Sequence, residues 1–92
     1  MVYLIHFDSR LKHAQHYVGY TDNLGARLKL HAAGNGSPLM RAVVEAGIPW
    51  HVTRTWHGDR TLERRIKDQH NTPRLCPACN PRSAHNNMQE VT

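Results

Sequence analysis

Tyr17-Val18-Gly19-Tyr20-Thr21-Asp22-Asn23-Leu24-Gly25-Ala26-Arg27-Leu28-Lys29-Leu30-His31 changes character midway, and that change organises the fold. From His16 to Tyr20 the residues suit a pleated, half-buried surface, so a strand is expected. Thr21-Asp22-Asn23 then offers side-chain oxygens to the free N–H groups of a first helical turn. The helix is expected to run to about Ala33. Gly34-Asn35-Gly36 ends it, because glycine accepts the left-handed conformation that follows a helix.

Upstream, Val2-Tyr3-Leu4-Ile5-His6-Phe7 is β-branched and aromatic and predicts a first strand. Asp8-Ser9-Arg10 begins a polar connection. The two strands are therefore expected to form a hairpin with a loop of roughly eight residues, longer than the usual two to five. A loop of that length suggests a functional role. Downstream, Ser37-Pro38 is an N-cap and first helical residue. The helix it opens carries Leu39, Val43 and Ala46 and stops at Gly47. Trp50 to Trp56 predicts a third strand. Asp59 to about His70 predicts a third helix with Leu62, Ile66 and Gln69 along one stripe, ended by Pro73. The order is β-β-α-α-β-α. With only three strands, the simplest architecture is α+β: a small antiparallel or mixed sheet flanked by helices. A domain over 1–81 is expected, including a compact segment from Leu75 to Pro81. A polar, frayed tail is expected over 82–92.

Ninety-two residues suit one domain with a thin core and one surface site. Lys and Arg number 12 against 7 Asp and Glu, giving a net charge of +5. Nine of the basic residues are arginines, whose planar fork grips phosphate oxygens in pairs. Nucleic acid is the natural polyanionic partner. A soluble domain that happens to be basic is the plainer alternative. No 18-residue apolar run is present, and the first residues lack the pattern of a secretory signal. Two cysteines make no disulfide framework, so an intracellular, reducing location is expected.

Several residues have two readings each. Arg27 and His31, four apart, stack on one side of the first helix, bordering the stripe of Leu24 and Leu28. Arg27 is either a snorkelling side chain or a cation facing a shallow cleft. Glu63 and Lys67 are either an ordinary i,i+4 pair or the flank of a metal-binding carboxylate among Arg60, Arg64, Arg65 and Lys67. Such a basic surface suits Mg²⁺ only with a polyanion present, since Mg²⁺ typically takes one or two carboxylates plus substrate phosphate oxygens. Tyr3 shares a strand face with Ile5 and Phe7, and Tyr17 shares one with Gly19. They are either amphipathic core residues or site residues, and Gly19 lets a backbone or ligand come close.

Taken jointly, Tyr3, then Tyr17-Val18-Gly19-Tyr20-Thr21, then Asn23-Leu24-x-x-Arg27-x-x-x-His31 with Gly34-x-Gly36, then Glu63, resemble the GIY-YIG nuclease family over roughly residues 2–80. Met1-Val2-Tyr3 stands where Gly-Ile-Tyr is usual, and the second motif reads Tyr-Val-Gly. The resemblance implies the β-β-α-α-β-α fold and a divalent ion, Mg²⁺ or Mn²⁺, on Glu63. It implies that Arg27 contacts the scissile phosphate, that Tyr3 and Tyr17 line the site with one near the attacking water, and that His31 assists. A family asparagine is expected after the catalytic helix, with Asn80 the first candidate and Asn71 the second.

A tyrosine is a poor base at neutral pH and needs a nearby cation or the metal. Lys12, His13 or His16 in the hairpin loop are candidates for that cation. Lys12, Arg54, Arg60, Arg64, Arg65, Lys67 and Arg74 are candidates for phosphate contacts. Most of the eight histidines are expected at the surface or in turns. Cys76-Pro-Ala-Cys79 has zinc-knuckle spacing, and His70 and His85 could complete four ligands. The alternative is a Pro-stiffened turn with two reduced thiols, His70 serving as a helix-end cation. The functional expectation is a metal-dependent DNA endonuclease or nickase, RNA not excluded, with any target specificity from its own loops or a partner protein. The alternatives are a non-catalytic nucleic-acid-binding module on the same scaffold and a zinc-stapled interaction domain.

Overall fold

Val2 to Phe7 are buried without alternation, because this segment lies in the middle of the sheet and is covered on both faces. In the computed structural model, which describes residues 1–70 and 72–80, β1 (Val2–Leu11) pairs antiparallel with β2 (Ala14–Tyr20) on one side and β3 (Trp50–Trp56) on the other. The sheet order is β2-β1-β3. Helices α1 (Leu24–Ala32) and α2 (Pro38–Glu45) connect β2 to β3, and α3 (Arg60–Gln69) and a short α4 (Thr72–Leu75) follow. The expected α+β class and β-β-α-α-β-α order are those observed, with α4 added and the sheet wholly antiparallel.

Alternation along β1 builds two cores. Tyr3, Ile5 and Phe7 pack with Met40 and Val43 of α2, with Leu24 and Leu28 of α1 at the margin. Val2 and Leu4 pack with Val18, Ile66 of α3 and Cys76. The sheet thus lies between an α1/α2 layer and an α3 layer.

Three helix starts are capped by the local chemistry expected of their sequences. The Asn23 side-chain oxygen accepts from Ala26 N–H at 3.1 Å, Ser37 Oγ from Met40 N–H at 3.1 Å, and Asp59 Oδ1 from Thr61 N–H at 2.9 Å. Gly34 and Gly47 follow α1 and α2 with φ of 80° and 70°.

Two expectations are corrected. The hairpin has no eight-residue loop: β1 continues to Leu11, and Lys12 and His13 alone form the turn, Lys12 with φ of 56°. Pro73 does not end α3; that helix stops at His70, whose φ of 52° is left-handed, and Pro73 lies within α4. Proline fits there because the first turn of a helix leaves its N–H groups unused. Asn71, His85 and the expected tail over 82–92 lie outside the described residues. No helix among the described residues is long and apolar enough to cross a membrane.

Candidate active site

Tyr3 is the centre of the site. It is fully buried in β1, and its Oη lies 2.7 Å from His31 Nε2 of α1. Tyr17, on β2, faces the same layer, its ring centroid 6.0 Å from Tyr3 and 5.2 Å from His31. Gly19 pairs with Tyr3 across the strands. A Cβ on Gly19 would lie 2.5 Å from Tyr3 Oη and 2.8 Å from Tyr17 Cε1. The glycine of Tyr-Val-Gly is therefore required by the two phenols it separates.

His31 was expected to border the buried stripe of α1. It is instead the buried residue of that helix, while Leu24 and Leu28 are half-buried. The reason is its bond to Tyr3 together with Gly36, where any Cβ would overlap the His31 ring. The second glycine of Gly34-x-Gly36 thus makes room for an imidazole. Burial and, next, the Arg27 charge lower the His31 pKa, so the ring is neutral near pH 7. Its Nδ1 is buried with no hydrogen-bond partner among the described residues.

Arg27 sits one turn before His31 and is half-buried. Glu63 projects from α3, its side chain 19% exposed, with Lys67 Nζ 3.3 Å from Oε2. Lys67 Nζ also lies 5.9 Å from the Tyr17 ring centroid. Helix α3 covers the Val2/Leu4 face through Leu62 and Ile66, and Lys67 comes over Tyr17 of β2. Burial, then Tyr17, raise the Tyr3 pKa; Arg27 opposes this and Glu63 adds to it. The guanidinium and the carboxylate, 36 positions apart in the chain, thus both act electrostatically on one hydroxyl. Tyr3, Tyr17 and His31 are in mutual contact, Arg27 lies one turn before His31, and Lys67, paired with Glu63, lies over the Tyr17 ring.

The cations expected to serve the tyrosines are misplaced. Lys12 and His13 are at the hairpin tip, at the opposite end of β1 from Tyr3, and His16 points to the other face with His6. The two-residue turn causes this, because it carries the tip far past the helices. Arg27 and Lys67 are the cations beside the phenols. Asn80 closes the C-terminal turn: its side-chain amide donates to the Arg74 carbonyl at 2.9 Å and its N–H to Cys76 O at 2.8 Å.

Arg60, Arg64, Arg65 and Arg74 are exposed as expected of phosphate contacts, with Arg60 stacked 5.4 Å over Tyr20. Arg54 is committed elsewhere: its guanidinium lies 4.8 Å over Trp56 and donates to the Leu75 carbonyl. Cys76 and Cys79 are free thiols, the first buried. The histidines meeting them are His6 and His16, with His16 Nε2 3.3 Å from Cys79 Sγ. Most histidines were expected at the surface or in turns; His6 is buried, as is His31. The sequence signal for His6 and His16 was present in the strand register: the offset pairing Tyr3 with Gly19 also pairs His6 with His16.

No curated protein and no solved structure matches the chain. The family model of the GIY-YIG catalytic domain matches residues 1–75, nearly all of the described fold. This match covers every element from β1 to α4, and the chain belongs to the GIY-YIG family, a nuclease-type family.

Proposed function

We propose that this protein is a metal-dependent endonuclease or nickase that hydrolyses DNA phosphodiester bonds inside the cell. One observation carries the reading: a buried phenol, Tyr3, meets His31 Nε2 at 2.7 Å and packs beside Tyr17, within the stretch matched by the GIY-YIG catalytic domain. A tyrosine that only fills the core needs no imidazole on its hydroxyl, and a pure binder has no use for a carboxylate among arginines.

Phosphodiester hydrolysis needs an in-line water, a counter-charge for the phosphorane and relief of the leaving oxygen. Arg27 supplies donors at the scissile phosphate, where charge develops. Tyr17, half-buried beside the fully buried Tyr3, faces the water. As the water oxygen attacks phosphorus, its proton passes by way of Tyr17 to Tyr3 Oη while the Tyr3 proton moves to His31 Nε2, already at 2.7 Å. Burial chiefly keeps His31 weakly basic, and a phosphate bound at Arg27 offsets the second cause, the guanidinium charge.

Glu63 fits a divalent ion of the Mg²⁺ type. Its side chain is 19% exposed, its Oε2 is held by Lys67 at 3.3 Å until an ion displaces the ammonium, and the remaining ligands would come from substrate phosphate and water. When bound, Mg²⁺ or Mn²⁺ supplies Lewis acidity at the leaving oxygen.

A plasmid-nicking assay with Mg²⁺ tests the proposal. Wild type nicks, and Glu63→Ala loses on the order of 10²-fold or more. DNA binding with no cutting by wild type, in Mg²⁺ or Mn²⁺, would favour the non-catalytic module. Target choice by a partner protein is part of the same proposal, because the described residues form one small domain with no second DNA-reading unit.

A further inference from the structure

The second cluster lies on the other face of β1, away from the phenols. His6 and His16 are a cross-strand pair, with His6 Nδ1 and His16 Nε2 3.3 Å apart. The turn after α4 brings two sulfurs to them. Cys76 Sγ and Cys79 Sγ are each 3.5 Å from His6 Nδ1, and Cys79 Sγ is 3.3 Å from His16 Nε2. All four donor atoms lie within 4.8 Å of one another, the only such group of three or more metal-binding residue types among the described residues.

Hydrogen bonding explains this cluster poorly. A neutral imidazole nitrogen has one proton or one lone pair, and His6 Nδ1 faces three neighbours. A tetrahedral ion explains it well. Zinc bonds of about 2.0–2.1 Å to nitrogen and about 2.3 Å to sulfur place the ligands about 3.3–3.8 Å apart. Four of the six separations, at 3.3–3.5 Å, fall at that spacing, and the other two lie within 4.8 Å. Just outside, Thr53 Oγ1 lies 3.4 Å from Cys76 Sγ, where its hydroxyl can donate to a thiolate and orient it.

We propose that His6, His16, Cys76 and Cys79 bind one structural Zn²⁺ that ties the C-terminal turn to the β1–β2 hairpin. Four protein ligands leave no open position, which marks a structural rather than a catalytic ion. Binding releases the two thiol protons and gives a site of zero net charge. The ion fastens residues 72–80 over the thinner core of Val2, Leu4, Val18 and Ile66, which α3 covers only in part. His70, offered with His85 as a possible ligand or alternatively as a helix-end residue, caps α3 and is not in the cluster.

The test uses the full chain purified under reducing conditions, dialysed, and assayed for metal by mass spectrometry, with Co²⁺ substitution as a spectroscopic check. About one zinc per chain is expected, together with the visible bands of tetrahedral, thiolate-ligated Co²⁺. Cys79→Ser and His16→Gln change exposed or half-buried positions. Each is expected to weaken zinc by more than the ~10–100-fold that outer-shell changes cause. His70→Gln is expected to keep the full equivalent. Wild type that retains no zinc after reduction and ZnCl₂ addition overturns the site, as does His16→Gln protein that is as zinc-replete as wild type. None of these readouts depends on nuclease activity.

Discussion

Gly19 settles whether two phenols share one space. A methyl group there meets Tyr3 Oη and Tyr17 Cε1 at distances no real Cβ adopts. Gly19→Ala is therefore expected to cost about 1–3 kcal/mol in urea unfolding, as overpacking does, and to abolish nicking. Unchanged stability would show that the rings can part without cost. His31 gives a second residue-level test. Its folded-state pKa lies below the ordinary value, chiefly through burial, so the unfolded chain binds the proton more readily. The contribution is fully present above about pH 6.5 and is lost as the pH falls towards the lowered folded pKa, by up to ~1.4 kcal/mol per pH unit. Urea melts from pH 7 downward are expected to show a shallower acid slope in His31→Gln than in wild type. Equal slopes would mean that His31 is not held neutral by the fold.

Element by element, the chain was most legible where a local signal is a chemical cap. Asn23, Ser37 and Asp59 start the three longer helices, each by a side-chain oxygen on a backbone N–H. Asp59 accepts from both Thr61 and Leu62 and holds the first turn of the helix that carries Glu63. Asp59→Ala is expected to lower stability by about 1 kcal/mol, read as a shifted urea midpoint with unchanged slope. No shift would make the cap dispensable. The hairpin was misread for a physical reason. Asp8, Ser9 and Arg10 extend β1 beyond the helices, exposed, so polar residues serve as strand there. The burial of His31 was hidden likewise: helical spacing put Arg27 and His31 on one side, but only the contact with Tyr3 shows that this side turns inward. Tyr3, Tyr17, Arg27, His31 and Glu63 could be named as candidates from their order along the chain, and of these Tyr3, Tyr17 and His31 are in contact. The His–Cys cluster could not, because it needs the strand register and a turn some 60 residues downstream of the hairpin.

At the scale of the molecule, charge and site converge on α3, which presents Arg60, Arg64 and Arg65 on the same helix as Glu63. Arg74 adds a fourth exposed arginine, and Arg54 is spent on Trp56 and Leu75. With ~4–5 phosphates neutralised on duplex DNA, log K is expected to fall with log salt at a slope of about −4, measured by fluorescence anisotropy. A flat response would remove phosphate contacts as the source of affinity. The whole fold turns on β1, whose odd positions furnish the phenol of the site and whose even positions furnish the imidazole of the His–Cys cluster. Inserting or deleting a single amino acid between Tyr3 and His6 would put both side chains on the same face, so that one of the two centres must be lost. Descendants of this chain can lengthen freely at Lys12-His13, but within those four positions their history must be written in substitutions alone.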